Sequence, residues 1–241
     1  MTQGTYTLAA NMINQINRVD MISNNIANVN TTGFKQDHLS EGSFNNYLTK
    51  MNENSEKEPM PLSTVMNTIP KIDGKFINSK LGSITATGNK LDFALSQGDT
   101  FFKVQNQNGE TFLTRDGSFK SVNGELVTQN GNKVLNENNE PIELGEGEEF
   151  INNIAVVSTN YNNIEKVGDN NYRVKDAQGV EIVENNTEYI VKGSIERSNV
   201  NSIKSMVALI DANRRFEQAQ KAINGIDQMN EKVINSVGND Q

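Results

Sequence analysis

The chain predicts an α+β protein: N- and C-terminal helices that pair as a coiled coil, with a central all-β, hairpin-rich domain between them. Three observations carry this. An apolar heptad stripe runs through the N-terminal segment, a cleaner one runs through the C-terminal segment, and the stretch between them is cut into short β-rich runs by glycine-containing turn pairs. The expected division is 1–35 together with 198–241 as a discontinuous helical core, 36–72 as an extended connector, and 73–197 as the β domain.

In the N-terminal segment Leu8, Met12, Val19, Ile22, Ile26 and Val29 fall on a and d positions, with Gln15 as the polar exception and Ile16 flanking it. Asn14, Asn17, Arg18 and Asp20 take the other faces. Such a stripe fits either a coiled coil or the core-facing side of a globular helix. In the C-terminal segment Leu209, Ala212, Phe216, Ala219, Ile223, Ile226, Val233 and Val237 occupy successive a and d positions, interrupted by Asn230. Ile203, Met206, Val207 and Ile210 widen the apolar face, and Ser198 or Asn199 is the expected N-cap.

Between the helices, Gln97-Gly98, Asn108-Gly109, Asp116-Gly117, Asn123-Gly124, Asn130-Gly131 and Gln178-Gly179 mark turns in which positive φ is expected. Alternation in Phe102/Val104, Ile154/Val156, Tyr172/Val174 and Tyr189/Val191 places strands between them, and the turn spacing suggests a meander. Pro59, Pro61 and Pro70 bar a continuous helix from the connector. Both a disordered linker and an extended arm ordered by assembly are compatible with its composition.

Composition narrows the function. The 241 residues carry a net charge of -8 and 35% hydrophobic side chains; the pI is 4.8 and the mean hydropathy -0.59. The acidic balance argues against nucleic acid as partner. With no cysteine and one histidine, His38, neither a disulfide framework nor a multi-histidine metal site can be built. Glu140, Glu143, Glu146, Glu148 and Glu149 lack the alternating spacing of a calcium loop and read as a solvated acidic loop. No catalytic residue, cofactor or metal is expected. No run is long and apolar enough for a membrane span, and the N-terminus lacks the pattern of a cleaved secretory signal.

The segment Ser23–Lys35 is the most specific one. Asn24, Asn25, Ile26, Ala27, Asn28, Thr31, Gly33, Phe34 and Lys35 resemble the N-terminal signature of the bacterial flagellar rod and hook axial proteins. Asn24, Asn25 and Asn28 are expected to bond laterally to other subunits; the plainer alternative is an ordinary helix end with Gly33 as its left-handed cap. Thr87-Gly88-Asn89-Lys90-Leu91-Asp92, Phe101-Phe102-Lys103-Val104, Thr114-Arg115-Asp116-Gly117-Ser118-Phe119 and Gly193-Ser194-Ile195-Glu196-Arg197-Ser198-Asn199-Val200 are similar to further motifs of that family, in its order. Gly98-Asp99-Thr100 departs from the family's Gly-Asp-Gly, so a different turn is expected there. Arg214-Arg215-Phe216-Glu217 is closer to the proximal-rod type than to the distal type, which stands as the alternative.

The resemblance implies a structural subunit of the basal-body rod, assembling helically through its terminal helices. It implies copies of itself, other rod and hook proteins and the flagellar type III export apparatus as partners. It also implies a place in the rod crossing the periplasm, reached without signal cleavage. Outside that family, a secreted β-domain adhesin with coiled-coil ends and a polysaccharide-acting enzyme on a β scaffold are the competing classes. An adhesin calls for a conventional export signal and an enzyme for a clustered catalytic constellation.

Overall fold

A computed structural model describes residues 3–43, 70–145, 149–183 and 186–238. The centre of the expected connector, with Pro59 and Pro61, and the acidic residues Glu146 and Glu148 lie outside the described residues. The chain divides into two units, one holding the terminal helices and a two-stranded ribbon, the other Ala27–Gln36 and Ile77–Asn201.

In the first unit, α1 (Gln3–Ala27) and α2 (Ser202–Gly238) form without proline, and the single interior glycine of α2, Gly225, does not break it. On α1, Gln15, Ile22 and Asn25 are buried, the first two seven residues apart. On α2 the buried residues Ser205, Ala212 and Ala219 follow the same step, with Leu209, Phe216, Ile223 and Ile226 half-buried between and beyond them. The α2 series and the Gln15–Ile22 step thus share a seven-residue spacing, while Asn25 stands off it. Val29 departs from the expected stripe, because α1 ends at Ala27 and Val29 lies in the turn that follows.

The start of α2 also differs from expectation. It begins at Ser202 rather than after Ser198 or Asn199. The Asn199 amide is occupied elsewhere: it donates to the carbonyls of Asn78 and Lys80 and accepts from the Gln36 N–H. The ribbon pairs β1 (Asp37–Ser43) with β2 (Pro70–Ile77). His38 stacks on Phe76 across it with ring centres 5.3 Å apart.

The second unit is built on a nine-stranded sheet of antiparallel pairs. Its strands are β5 (Thr100–Gln105), β6 (Thr111–Thr114), β7 (Phe119–Val122), β8 (Glu125–Thr128), β9 (Lys133–Val134), β10 (Val156–Thr159), β11 (Ile164–Gly168), β12 (Asn171–Val174) and β13 (Val180–Ile182). The main path runs β11-β12-β6-β5-β9-β8-β7, with β10 lying between β5 and β13. This is not the simple meander expected: β9 returns beside β5 instead of extending outward from β8. Two ribbons complete the unit, β3 (Ile84–Ala86) with β15 (Ser194–Glu196) and β4 (Phe93–Leu95) with β14 (Ile190–Lys192).

Alternation along the strands separates two apolar clusters. Phe102, Val104 and Val156 join the larger one with Phe93, Phe119, Leu126 and Ile154. Their neighbours Phe101 and Val157 point the other way, toward Leu113, Ile164 and Tyr172.

The turn pairs divide in use. Gly109, Gly124 and Gly131 have φ near +85°, and Asn123-Gly124, both at positive φ, close the two-residue β7–β8 hairpin. Gly98, Gly117 and Gly179 are not at positive φ and are small for another reason. A Cβ on Gly117 would sit 1.7 Å from the Phe93 carbonyl oxygen, so glycine there permits the approach of β4. Asp169-Asn170 closes the β11–β12 hairpin with both residues left-handed and no glycine between them. Thr100, where the family pattern has glycine, opens β5, and its hydroxyl donates to the Gln97 carbonyl.

Candidate functional site

Lys35, Arg115 and Glu196 lie 80 and 81 residues apart in sequence, one in each of three motif segments, and meet in the interior of the second unit. Each is essentially without solvent exposure. β15 delivers Glu196, the loop after β6 delivers Arg115, and the segment following the α1 turn delivers Lys35.

The Glu196 carboxylate is saturated. One oxygen accepts from Lys35 Nζ at 2.7 Å and from the Gly82 N–H at 2.8 Å, the other from Arg115 Nε at 2.9 Å and Nη2. The Arg115 guanidinium spends its remaining donors on the carbonyls of Leu95, Gln97 and Thr100. Lys35 Nζ also donates to the Lys80 carbonyl at 2.9 Å. Burial, with the Arg115 charge adding to it, pulls the Lys35 ammonium down from 10.5 to about 8, against the opposing pull of Glu196.

The backbone around the cluster is equally committed. The Gly33 N–H donates to the Glu196 carbonyl at 2.7 Å, and the Asn199 N–H to the Phe34 carbonyl at 3.3 Å. Gly33 is left-handed, at φ 67°, but it does not cap α1, which ended earlier. A Cβ there would stand 2.5 Å from the Arg115 carbonyl carbon and oxygen. The β11–β12 hairpin closes over this segment: Lys166 Nζ lies 4.0 Å from the centre of the Phe34 ring and donates to the Lys35 carbonyl, and the Asn170 amide donates to the Thr32 carbonyl.

The other motifs are used in the same local way. Thr87 and Asn89 donate to the two carboxylate oxygens of Asp92 at 2.6 and 3.0 Å. The Thr87 and Gly88 N–H groups donate to the Gly193 carbonyl, joining the central motif to the C-terminal one. Asp116 accepts from the Ser118 N–H and hydroxyl, and burial raises its carboxyl above the usual range despite those bonds.

The signature asparagines divide. Asn25 is buried, and its amide forms two 2.9 Å bonds with the backbone N–H and C=O of Asp37, acting as a one-residue strand partner. That amide is spent within the chain, contrary to the expectation of a lateral bond. Asn28 accepts from the Thr31 hydroxyl in the turn after α1, while Asn24 is exposed.

Of the expected core residues, Ile22 is buried; Leu8, Met12, Val19, Ile26, Leu209, Phe216, Ile223 and Ile226 are half-buried; and Val233 is exposed. The Val237 side chain lies outside what is described. Arg115 and Glu196 stand in recognised motifs, yet periodicity gives them no role. Charges flanked by strand residues, as in Thr114-Arg115 and Ile195-Glu196, were the available signal.

Three family models match in chain order. They describe the flagella basal body rod protein over residues 6–35, the flagellar hook protein FlgE/F/G D1 domain over 96–196, and the flagellar basal body rod FlgEFG protein C-terminal region over 191–236. A flagellar basal-body rod protein FlgF from Rhizobium meliloti is 30% identical, covering 99% of both chains. A flagellar basal-body rod protein FlgG from Buchnera aphidicola of Schizaphis graminum is 31% identical, over 91% of this chain and 93% of its own. The corresponding FlgG of Borreliella burgdorferi is 31% identical over 95% and 96%.

The chain belongs to the flagellar basal-body rod protein family. It is a structural subunit of the rod, of the proximal-rod type that its Arg214-Arg215-Phe216-Glu217 segment resembles. No helix among the described residues is long and apolar enough to cross a membrane.

Proposed function

We propose that the subunit assembles helically with copies of itself and with other rod and hook proteins, through α1 and α2 paired as a coiled coil, to help form the hollow drive shaft and export channel. The carrying observation is the seven-residue spacing shared by Gln15 and Ile22 on α1 and by Ser205, Ala212 and Ala219 on α2. The small side chains on α2 suit close helix approach. Heterologous contacts whose rotation does not close produce an open tube. The apolar residues that remain exposed support a partner-dependent surface: Ile203, Val207 and Ile210 line a shallow groove of about 440 Å³ on α2, and Met229, Val233 and Ile234 stand out on its last turns.

On this reading the protein is not an enzyme and needs no cofactor. It is carried out by the flagellar type III apparatus without signal cleavage and works in the rod crossing the periplasm. Truncation after Ser205 is expected to leave a soluble, protease-resistant second unit that is missing from purified basal bodies. Normal motility with the truncated chain as sole copy would overturn the reading. Imaging basal bodies from cells lacking the protein tests its level: the rod is expected to stop at its proximal part.

A further inference from the structure

We infer that Glu196 is the folding gate of the second unit: the counter-charge that arrives last in the chain and permits the interior to close around two cations that precede it. Lys35 and Arg115 are both fully buried, and among the described residues Glu196 is the acid bonded to each of them. Chains emerge N-terminus first, so Lys35 and Arg115 are present long before residue 196. Until then, closing the interior would bury two positive charges without a counter-ion. Breaking a buried ion pair by loss of one partner costs about 3–5 kcal/mol.

The backbone repeats the dependence. The Gly82 N–H and the Gly33 N–H both terminate on Glu196, one on its carboxylate and one on its carbonyl. Gly82 also admits this strand at close range, since a Cβ there would meet the Arg197 carbonyl oxygen at 1.8 Å. The last strand of the unit thus brings the charge and the closing hydrogen bonds together. The inference is independent of how the helices assemble, and its failure would leave that reading untouched.

Synchronised translation of the full-length chain, sampled by brief proteolysis, tests the timing. Protease resistance of residues 77–201 is expected to appear only after residue 196 has emerged, and resistance gained earlier overturns the gate. In the completed chain, Glu196→Gln keeps the side-chain shape and removes the charge. It is expected to lower the folding equilibrium constant of this unit about a hundredfold or more; a value equal to the unaltered chain's overturns the gate. Adding Lys35→Met to Glu196→Gln removes one of the two uncompensated cations and is expected to recover at least about tenfold. Failure to recover would mean that the strand, and not the charge, was what mattered, and it too overturns the gate.

Discussion

The two units of this chain handle apolar and charged groups in opposite ways. The second unit puts Phe93, Phe102, Phe119 and Leu126 in a closed core and provides for its buried charges with saturated hydrogen bonds. The first leaves Ile203, Val207, Ile210, Val233 and Ile234 exposed, and among its described residues Ile22, Ala212 and Ala219 are the buried apolar ones, beside the polar Gln15, Asn25, Asp37 and Ser205. A self-sufficient fold has to cover its apolar surface itself; an assembly element can leave that to a neighbour. The contrast teaches that rigidity and association are divided between the units, so a substitution should damage one property and spare the other.

Arg115→Met gives the largest expected break. It strips the Glu196 carboxylate of two donors and bares the carbonyls of Leu95, Gln97 and Thr100. The second unit should lose about 3–5 kcal/mol in urea unfolding, while the helical circular dichroism of the folded chain stays unchanged at zero urea. Asn25→Ala acts on the other side of the comparison. It removes both bonds to the Asp37 backbone, and the expected cost is about 1–3 kcal/mol. Amide exchange should speed up at Asp37 and its ribbon, with the protection of the nine-stranded sheet unaltered.

The smallest effect comes from pH. Lys35 binds its proton less tightly when folded, releasing it near 8, than in the unfolded chain, where it holds it to about 10.5. Between those values the unfolded chain carries the extra proton, so stability rises with pH; below about 8 the contribution is flat. Relative to Lys35→Met, the second unit should gain about 1 kcal/mol between pH 8 and pH 9. A loss over that range would mean that the Glu196 bond outweighs burial.

Local signals were legible where local geometry decides the outcome. Asn123-Gly124 reads as a hairpin and is one, and the a/d spacing of Ala212 and Ala219 anticipates their burial. Signals failed where a residue's reason lies far along the chain. Gly117 reads as a turn glycine, but its small size serves the approach of Phe93. Asp169-Asn170 makes a hairpin whose two turn residues are both left-handed without being glycine, with Gly168 before them at the end of β11. The expected order of a meander failed because β9 pairs with β5 across a span that turn chemistry does not encode. The Lys35–Arg115–Glu196 cluster is the extreme case: each charge is visible, but their meeting depends on closing loops of 80 and 81 residues.

The 2.7 Å bond from the Gly33 N–H to the Glu196 carbonyl places the segment by which the chain first enters the second unit beside the one by which it finally leaves. Termini held together in this way are what make a domain portable. The β body thus hangs from paired ends: a loop lengthened or trimmed inside it leaves the spacing of those two segments fixed.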